Sequence, residues 1–402
     1  MMDHSLPQLC SDDTCTGCGA CASVCEKEAI QLLPNEEGFY RPQIDSSKCV
    51  SCGLCEKISP VLNPLKDKSS YADSLVYAAW NKDEKVRAES SSGGAFSALA
   101  DTVLEMGGVV CGAAYMNDMS VEHICIENKA DLPKLRLSKY VQSYTGRVFR
   151  QIQKYARQGK TVLFCGTPCQ TAGLISFLRK DYPNVYVCDF ICHGVPSPYM
   201  YKRYLDWIES RYGKVVHVNF RHKMKGWYDT LRVMTFKDGR QKVMRGKNDA
   251  YWVSFNNHNN SLQLSCYDCR FLGFPRKTDI TIADFWKIGK NYPFGHIGEI
   301  EKGVSLLIGN SEKGISLIRR SEDKMMCFER TLDEAIEKNQ AGVHSCARPA
   351  SRENFYHDLS HFSFDEMLAK YMTPTVKIRL VKFFREYLPF SLIKYIRTRG
   401  QK

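Results

Sequence analysis

The densest chemistry in this chain lies in two cysteine runs near its start. "CTGCGACASVCE" spaces Cys15, Cys18 and Cys21 by two residues and adds Cys25 three further on, and "CVSCGLCEKISP" repeats the rhythm with Cys49, Cys52 and Cys55. Two-residue gaps let successive thiolates turn onto three corners of one iron-sulfur cube, and in the bacterial arrangement the fourth cysteine of each run ligates the other cluster. Cys25 therefore completes the site of Cys49, Cys52 and Cys55. Zinc is the competing reading, but a zinc site takes two C-x2-C pairs, and seven cysteines in triplet-plus-one runs overshoot a single tetrahedron. Glu26, where such runs usually carry proline, concerns loop stiffness and not ligation.

The second run lacks its fourth cysteine, and Ser59 stands there. Three answers are open for the site of Cys15, Cys18 and Cys21. It is a 3Fe-4S centre with an open corner, or a 4Fe-4S cluster with the Ser59 oxygen as ligand. Or it takes Cys10, five residues before Cys15 and within an extended reach of ~17 Å. The expectation is a non-cysteine corner, because Cys10 serves only if the N-terminus is ordered.

A second set of cysteines sits in turn-like contexts: Cys169 in "GTPCQ", Cys192 in "DFICHGVPSP", Cys266 and Cys269 in "SCYDCRF". Together they would make one four-thiolate site, a third 4Fe-4S cluster or a structural zinc, with iron favoured. Cys111, Cys125, Cys165, Cys188 and Cys327 lie in apolar runs and read as core, where free cysteine is at home. "SSSGG", Ser90 to Gly94, opens a helix whose backbone N–H groups would cradle a phosphate, although a serine-capped helix needs no ligand.

The elements that must position these groups follow from pattern. A chain of 402 residues, 44% hydrophobic, suggests two or three domains. Clustered rather than scattered cysteines fit metal ligation in a reducing compartment, and no apolar stretch approaches ~18 residues, so a soluble cytoplasmic protein is expected. The net charge of +12 is uneven: residues 1–65 carry four Lys/Arg against nine Asp/Glu, whereas 370–402 carry nine against one. An acidic cluster module suits docking on a basic surface.

Val76 to Trp80, "VVCGAAY" and "TVLFCGT" read as strands. Phe96, Leu99, Val103 and Met106 fall at helical spacing, with Ser92 or a neighbour as cap and Gly107 as stop. Beyond Lys214 the signals turn antiparallel, with a hairpin at Asp238-Gly239. The expected fold is an α/β core with antiparallel β additions, α+β overall, preceded by a small bacterial-type two-cluster ferredoxin domain. The expected divisions are 1–66, 67–213, 214–345 and a basic helical tail, 346–402. Within that tail, 376–399 is a basic amphipathic segment suited to weak contact with an anionic membrane surface or to packing on the core. The basic run "FRHKMKGW" has no groove-reading motif beside it and reads as a solvated face, so no nucleic acid is expected.

The ordered set "SSSGGAFSALA", "SKYVQS", "LFCGTPCQTAGL", "DFICHGVPSP", "CYDCRF" and "DITIADFW" resembles the family of coenzyme F-420 hydrogenase/dehydrogenase beta subunits, from about Cys15 to Ser311. The resemblance implies an iron-sulfur flavoprotein with FAD in the α/β core and a 4Fe-4S cluster beside it. It implies that Ser91, Ser92, Gly93 and Gly94 cradle FAD phosphates and that Lys139, Tyr140, Gln142 and Ser143 lie along the flavin. Cys169, Cys192, Cys266 and Cys269 would hold the core cluster, with Asp284, Phe285 and Trp286 lining the same region. Lys139 would be the catalytic group, stabilising reduced flavin. The implied activity is an oxidoreductase passing electrons between clusters, FAD and an organic substrate or carrier, with a redox protein or small-molecule carrier as partner. The alternative is a non-catalytic relay within a larger redox complex. The substrate does not carry over, because members of the family differ in partner.

Overall fold

The computed structural model describes residues 5–65, 74–229, 231–245 and 249–372. The amphipathic segment over 376–399 lies outside them.

Thirteen strands are described: β1 (Ile30–Pro34), β2 (Tyr40–Ile44), β3 (Leu75–Asn81), β4 (Val109–Tyr115), β5 (Val121–Ile126), β6 (Val162–Cys165), β7 (Val185–Phe190), β8 (Val215–His222), β9 (Leu231–Phe236), β10 (Gln241–Arg245), β11 (Ile280–Asp284), β12 (Ser305–Gly309) and β13 (Met325–Arg330). Eight of them form one sheet in the order β13-β3-β12-β11-β7-β6-β4-β5. Its centre, β11-β7-β6-β4, is parallel, and every outer pair is antiparallel. The central strands are mostly apolar and largely buried, β6 and β7 as VLFC and VYVCDF, as strands covered on both faces require. Segments 67–213 and 214–345 both contribute strands to this sheet.

The antiparallel signals after Lys214 are β8, β9 and β10, a three-stranded sheet in the order β10-β9-β8. The Asp238-Gly239 turn joins β9 to β10, with Gln241 opposite Thr235. This sheet and helix Pro198–Tyr212 bury an aromatic core with Phe355, Leu359, Phe364 and Met367 from helices Arg352–His361 and Phe364–Tyr371.

The N-terminal module is the β1-β2 hairpin with two short helices, Ala20–Val24 and Leu54–Lys57, each opening after a glycine of positive φ. It docks closely on the core. A Cβ on Gly173, in helix Pro168–Leu178, would stand 3.0 Å from both Cβ and Sγ of Cys18. Arg352 clamps Glu37 through two bonds of 2.6 Å, and Gln142 accepts from the Tyr40 N–H at 2.8 Å.

Two expectations about local structure are corrected. No serine caps helix Ala95–Glu105: its N-cap is Gly94, at φ +86, without a side-chain bond. The hydroxyls are engaged elsewhere, Ser92 donating to the Val304 carbonyl at 2.9 Å and Ser91 accepting from the Ser138 N–H at 2.9 Å. Cys111 and Cys125 are not free core thiols. The β4-β5 register sets them opposite each other, with Cα atoms 4.1 Å apart, and a disulfide joins them.

Candidate functional site

All four parallel strands end on one side of the sheet, where a doubly covered α/β sheet gathers its functional groups. A cavity of about 660 Å³ opens there, within the range of small-molecule sites. Its wall includes Cys165 at the end of β6, Cys169 and Cys192 beyond the ends of β6 and β7, Asp284 at the end of β11, and the start of helix Ala95–Glu105. Ser91, Ser92, Gly94, Lys139, Tyr140, Gln142, Ser143 and Trp286 also line it. Gly93 does not. Its Cβ position is closed off by the Ala79 carbonyl and the Ser305 N–H, so this glycine serves backbone packing behind the cavity.

The first turn of helix Ala95–Glu105 faces the cavity through Ala95, Phe96 and Ser97, and with no side-chain cap its leading N–H groups are available to an anion. Among the described residues Lys139 donates only to backbone carbonyls, those of Lys134 at 3.0 Å and Arg136 at 2.6 Å. Withdrawal from water pulls its ammonium down to about 7. A lysine with no carboxylate partner among the described residues, bordering the same cavity as an uncapped helix start, is chemistry that fits a polyanionic cofactor such as FAD.

Other lining residues are committed to structure. The Gln142 amide ties the cavity wall to the cluster module through Tyr40 and, at 3.4 Å, the Thr16 carbonyl. The Ser143 hydroxyl bonds His123 Nδ1 at 2.9 Å and accepts from Gln170 at 2.9 Å. Burial pulls His123 down to about 4, so that imidazole is neutral. Phe285 is fully buried in the core and lines nothing.

Arg221 carries no motif that marks it in the sequence. "FRHKMKGW" is no solvated face: Phe220 and Trp227 are buried, and Arg221, 6% exposed, pairs with Asp284 through bonds of 2.9 and 3.3 Å. Its guanidinium lies 4.9 Å from the Trp286 ring, which stacks on Trp227 at 5.1 Å. Asp284 also accepts from Trp227 Nε1 at 2.8 Å. The aspartate thus fixes a cationic, aromatic wall. The one signal pointing to it is the clustering of Phe220 and Trp227 around the charges, since apolar aromatics seldom belong to a wholly solvated run.

The core cysteines come together. Cys169 starts helix Pro168–Leu178 behind a Thr167 capping box and lies 3.1 Å from the Thr167 hydroxyl. The bridge between Pro196 and Leu262 brings the loop of Cys192 against that of Cys266. Cys266 feels Cys192, Cys169 and Cys269 electrostatically, and burial pushes it well up; burial also pushes Cys169 up to about 11 and Cys192 higher still. Thiols so removed from water need a metal to hold them as thiolates. Cys346, which sequence reasoning left unassigned, faces Cys192 and Cys269, and the Ser345 hydroxyl beside it accepts from the Cys269 N–H at 3.0 Å.

In the N-terminal module, Cys55 faces Cys52 and Cys25, the crossed grouping that the spacing predicts. Cys52 is exposed, as is neighbouring Val50 at 55%. Cys15, Cys18 and Cys21 face one another, and burial pushes Cys18 up to about 12. They line a second, small opening together with Cys55, Ser59 and Cys10. Cys18 and Cys169 also interact, and Thr16 belongs to the wall of the main cavity. Among the described residues no three His, Cys, Asp or Glu side chains converge on a single metal ion.

Comparison with known proteins places the chain in a family. The family model for the N-terminus of the coenzyme F420 hydrogenase/dehydrogenase beta subunit matches residues 76–149, and the model for its C-terminus matches 159–334. A 4Fe-4S dicluster domain matches 14–61. The chain is 25% identical over 179 residues to one of the subunits of the F(420)H(2) dehydrogenase of Methanosarcina mazei, covering 42% of this chain and 50% of that one. It is 31% identical over 72 residues to a polyferredoxin-like protein of Methanocaldococcus jannaschii, covering 16% and 43%. The chain thus spans at most about half the length of these curated relatives. A chain of the xenon-derivatised F420-reducing NiFe hydrogenase complex from Methanosarcina barkeri superposes with a TM-score of 0.43 at 16% identity, over 66% of this chain and 89% of that one. Among the described residues no helix is long and apolar enough to cross a membrane. With both halves of the family matched in order behind a cluster domain, this chain belongs to the family of coenzyme F420 hydrogenase/dehydrogenase beta subunits and carries an N-terminal 4Fe-4S dicluster domain.

Proposed function

We propose that this chain is an iron-sulfur flavoprotein oxidoreductase in which electrons pass between an exposed cluster, a buried one, a core cluster and FAD. The observation that carries this reading is the shared wall: Cys169 and Cys192, Lys139, the uncapped helix start and Thr16 of the cluster module all border one cavity. Cys25, Cys49, Cys52 and Cys55 would hold the outer cluster, Cys15, Cys18 and Cys21 the inner one, and Cys169, Cys192, Cys266 and Cys269 the core cluster. FAD supplies exchange between an electron pair and single electrons. The backbone N–H groups after Gly94 would bind its phosphates. Lys139 would hold positive charge over the reduced ring system, its proton affinity rising once an anion fills the cavity.

The relatives named as parts of a hydrogenase and a dehydrogenase support a second reading, in which the chain relays electrons within a complex and meets no organic substrate.

The test is iron, acid-labile sulfide and flavin per chain in anaerobically purified protein, with low-temperature EPR before and after dithionite. The expected result is about twelve irons and stoichiometric FAD. Iron for two clusters or fewer without flavin, in protein shown to have kept its cofactors, overturns the core-site assignment. Lys139→Ala is expected to lower flavin retention and shift the flavin potential downward with iron unchanged; unaltered flavin content and potential would remove Lys139 from the site.

A further inference from the structure

Position 59 is where the fold delivers a ligand. Ser59 follows helix Leu54–Lys57, its N–H donates to the Glu56 carbonyl at 3.2 Å, and it is 8% exposed on the wall of the small opening. Its hydroxyl is a poor donor to iron: oxygen is harder than sulfur, and a serine loses its proton far less readily than a thiol. A thiol stands beside it. Cys10 Sγ lies 3.3 Å from Ser59 Oγ, and Cys10 borders the same opening as Cys15, Cys18 and Cys21.

For Cys10 to serve, the chain before Cys15 must be held in place, and it is tied down at several points. The Cys15 N–H donates to the Ser11 carbonyl at 2.8 Å, closing a turn that leads Cys10 back towards the opening. The Asp12 carboxylate accepts from Asn35 Nδ2 at 2.8 Å and lies 3.7 Å from Arg41 Nε, and Leu9 packs with the apolar group that includes Leu32 and Ile58. The four-residue gap from Cys10 to Cys15 is one that other ferredoxin loops span between ligands.

We infer that Cys10 supplies the fourth thiolate of the inner cluster in place of the side chain at position 59, and that Ser59 donates a hydrogen bond to the Cys10 sulfur. The inner cluster is then a complete 4Fe-4S centre with one ligand from outside its own repeat. Hydrogen bonds to cluster sulfur raise the potential, so Ser59 tunes the centre it does not ligate.

This inference rests on the reading that the module carries two clusters, and wild-type protein tests that first: absence of the module's iron ends the reading itself. With the iron present, the wild type is expected to show no 3Fe-4S signal as isolated. Cys10→Ala is expected to lose about one iron per chain and to gain the EPR signal of an oxidised 3Fe-4S centre. Cys10→Ala/Ser59→Cys is expected to restore the iron and abolish that signal, and Ser59→Ala to keep all the iron and lower the inner potential. Should Cys10→Ala fail to fold, alkylation of native wild-type protein decides: Cys10 is expected to resist labelling until iron is stripped. A 3Fe-4S signal in the wild type, full iron without that signal in Cys10→Ala, a 3Fe-4S signal in Ser59→Ala, or ready alkylation of Cys10 in cluster-loaded protein would each overturn the assignment.

Discussion

The two cysteine runs of the module share one spacing and occupy opposite environments. The run at Cys49 to Cys55 faces solvent through Cys52 and Val50, and its loop is closed by the Cys49 N–H bonding the Asp45 carbonyl at 3.1 Å. The run at Cys15 to Cys21 is pressed against helix Pro168–Leu178 and looks towards Cys169. A local repeat thus yields one run open to solvent and one pressed on the core, and the difference comes from what each run packs on. The buried run is also the one for which the repeat offers Ser59 in place of a fourth cysteine.

The comparison breaks most strongly at Gly173. Gly173→Leu forces bulk against Cys18, which a Cβ alone already crowds at 3.0 Å. Loss of the inner cluster with retention of the outer one is expected, read by spin quantitation of the reduced protein. Equal loss of both would show that the two are not separately supported.

A smaller effect is expected from loosening the dock itself. Arg352 is almost fully buried and holds Glu37 of the module and the Leu262 carbonyl. Arg352→Ala leaves the carboxylate and carbonyl short of a partner and is expected to cost about 2–4 kcal/mol, read by denaturant unfolding, with protease sensitivity appearing first at the module.

The weakest distinction is in pH. His123, buried behind the cavity, keeps its native pKa depressed to about 4. Its contribution to stability is fully present above its unfolded value, near 6.5, and is lost as pH falls towards 4, at up to ~1.4 kcal/mol per pH unit. The outer loop is set differently. Bonds from Ser47 and Lys48 hold the Asp45 carboxyl down at about 2, so its contribution persists above its unfolded range and is lost only as pH falls through that value. His123→Gln is expected to flatten the stability profile between pH 6.5 and 4, measured by chemical denaturation, and to leave the acid limb below pH 3 unchanged.

Much of the site is legible in the linear chain. Ligands two residues apart meet because backbone geometry alone brings them together, so Cys15 to Cys21 and Cys49 to Cys55 can be read directly. The Asp238-Gly239 hairpin, the Gly107 helix stop and the apolar strands are local in the same sense, and the family motifs locate Lys139, Cys169 and Cys192 from the chain alone. The expected serine cap fails because Gly94 takes the N-cap while the serines are drawn to Val304 and Ser138, partners distant in sequence.

Tertiary structure alone decided the remainder. It set Cys10 against Ser59, forty-nine residues away, and brought Cys346 to the core thiols. It turned Arg221 and Trp227 inward to hold Asp284, and it chose which cysteine run would face solvent. The reason is physical: spacing governs groups on one short stretch of backbone, whereas a partner far along the chain is selected by the packing of whole elements, and no local pattern encodes that choice.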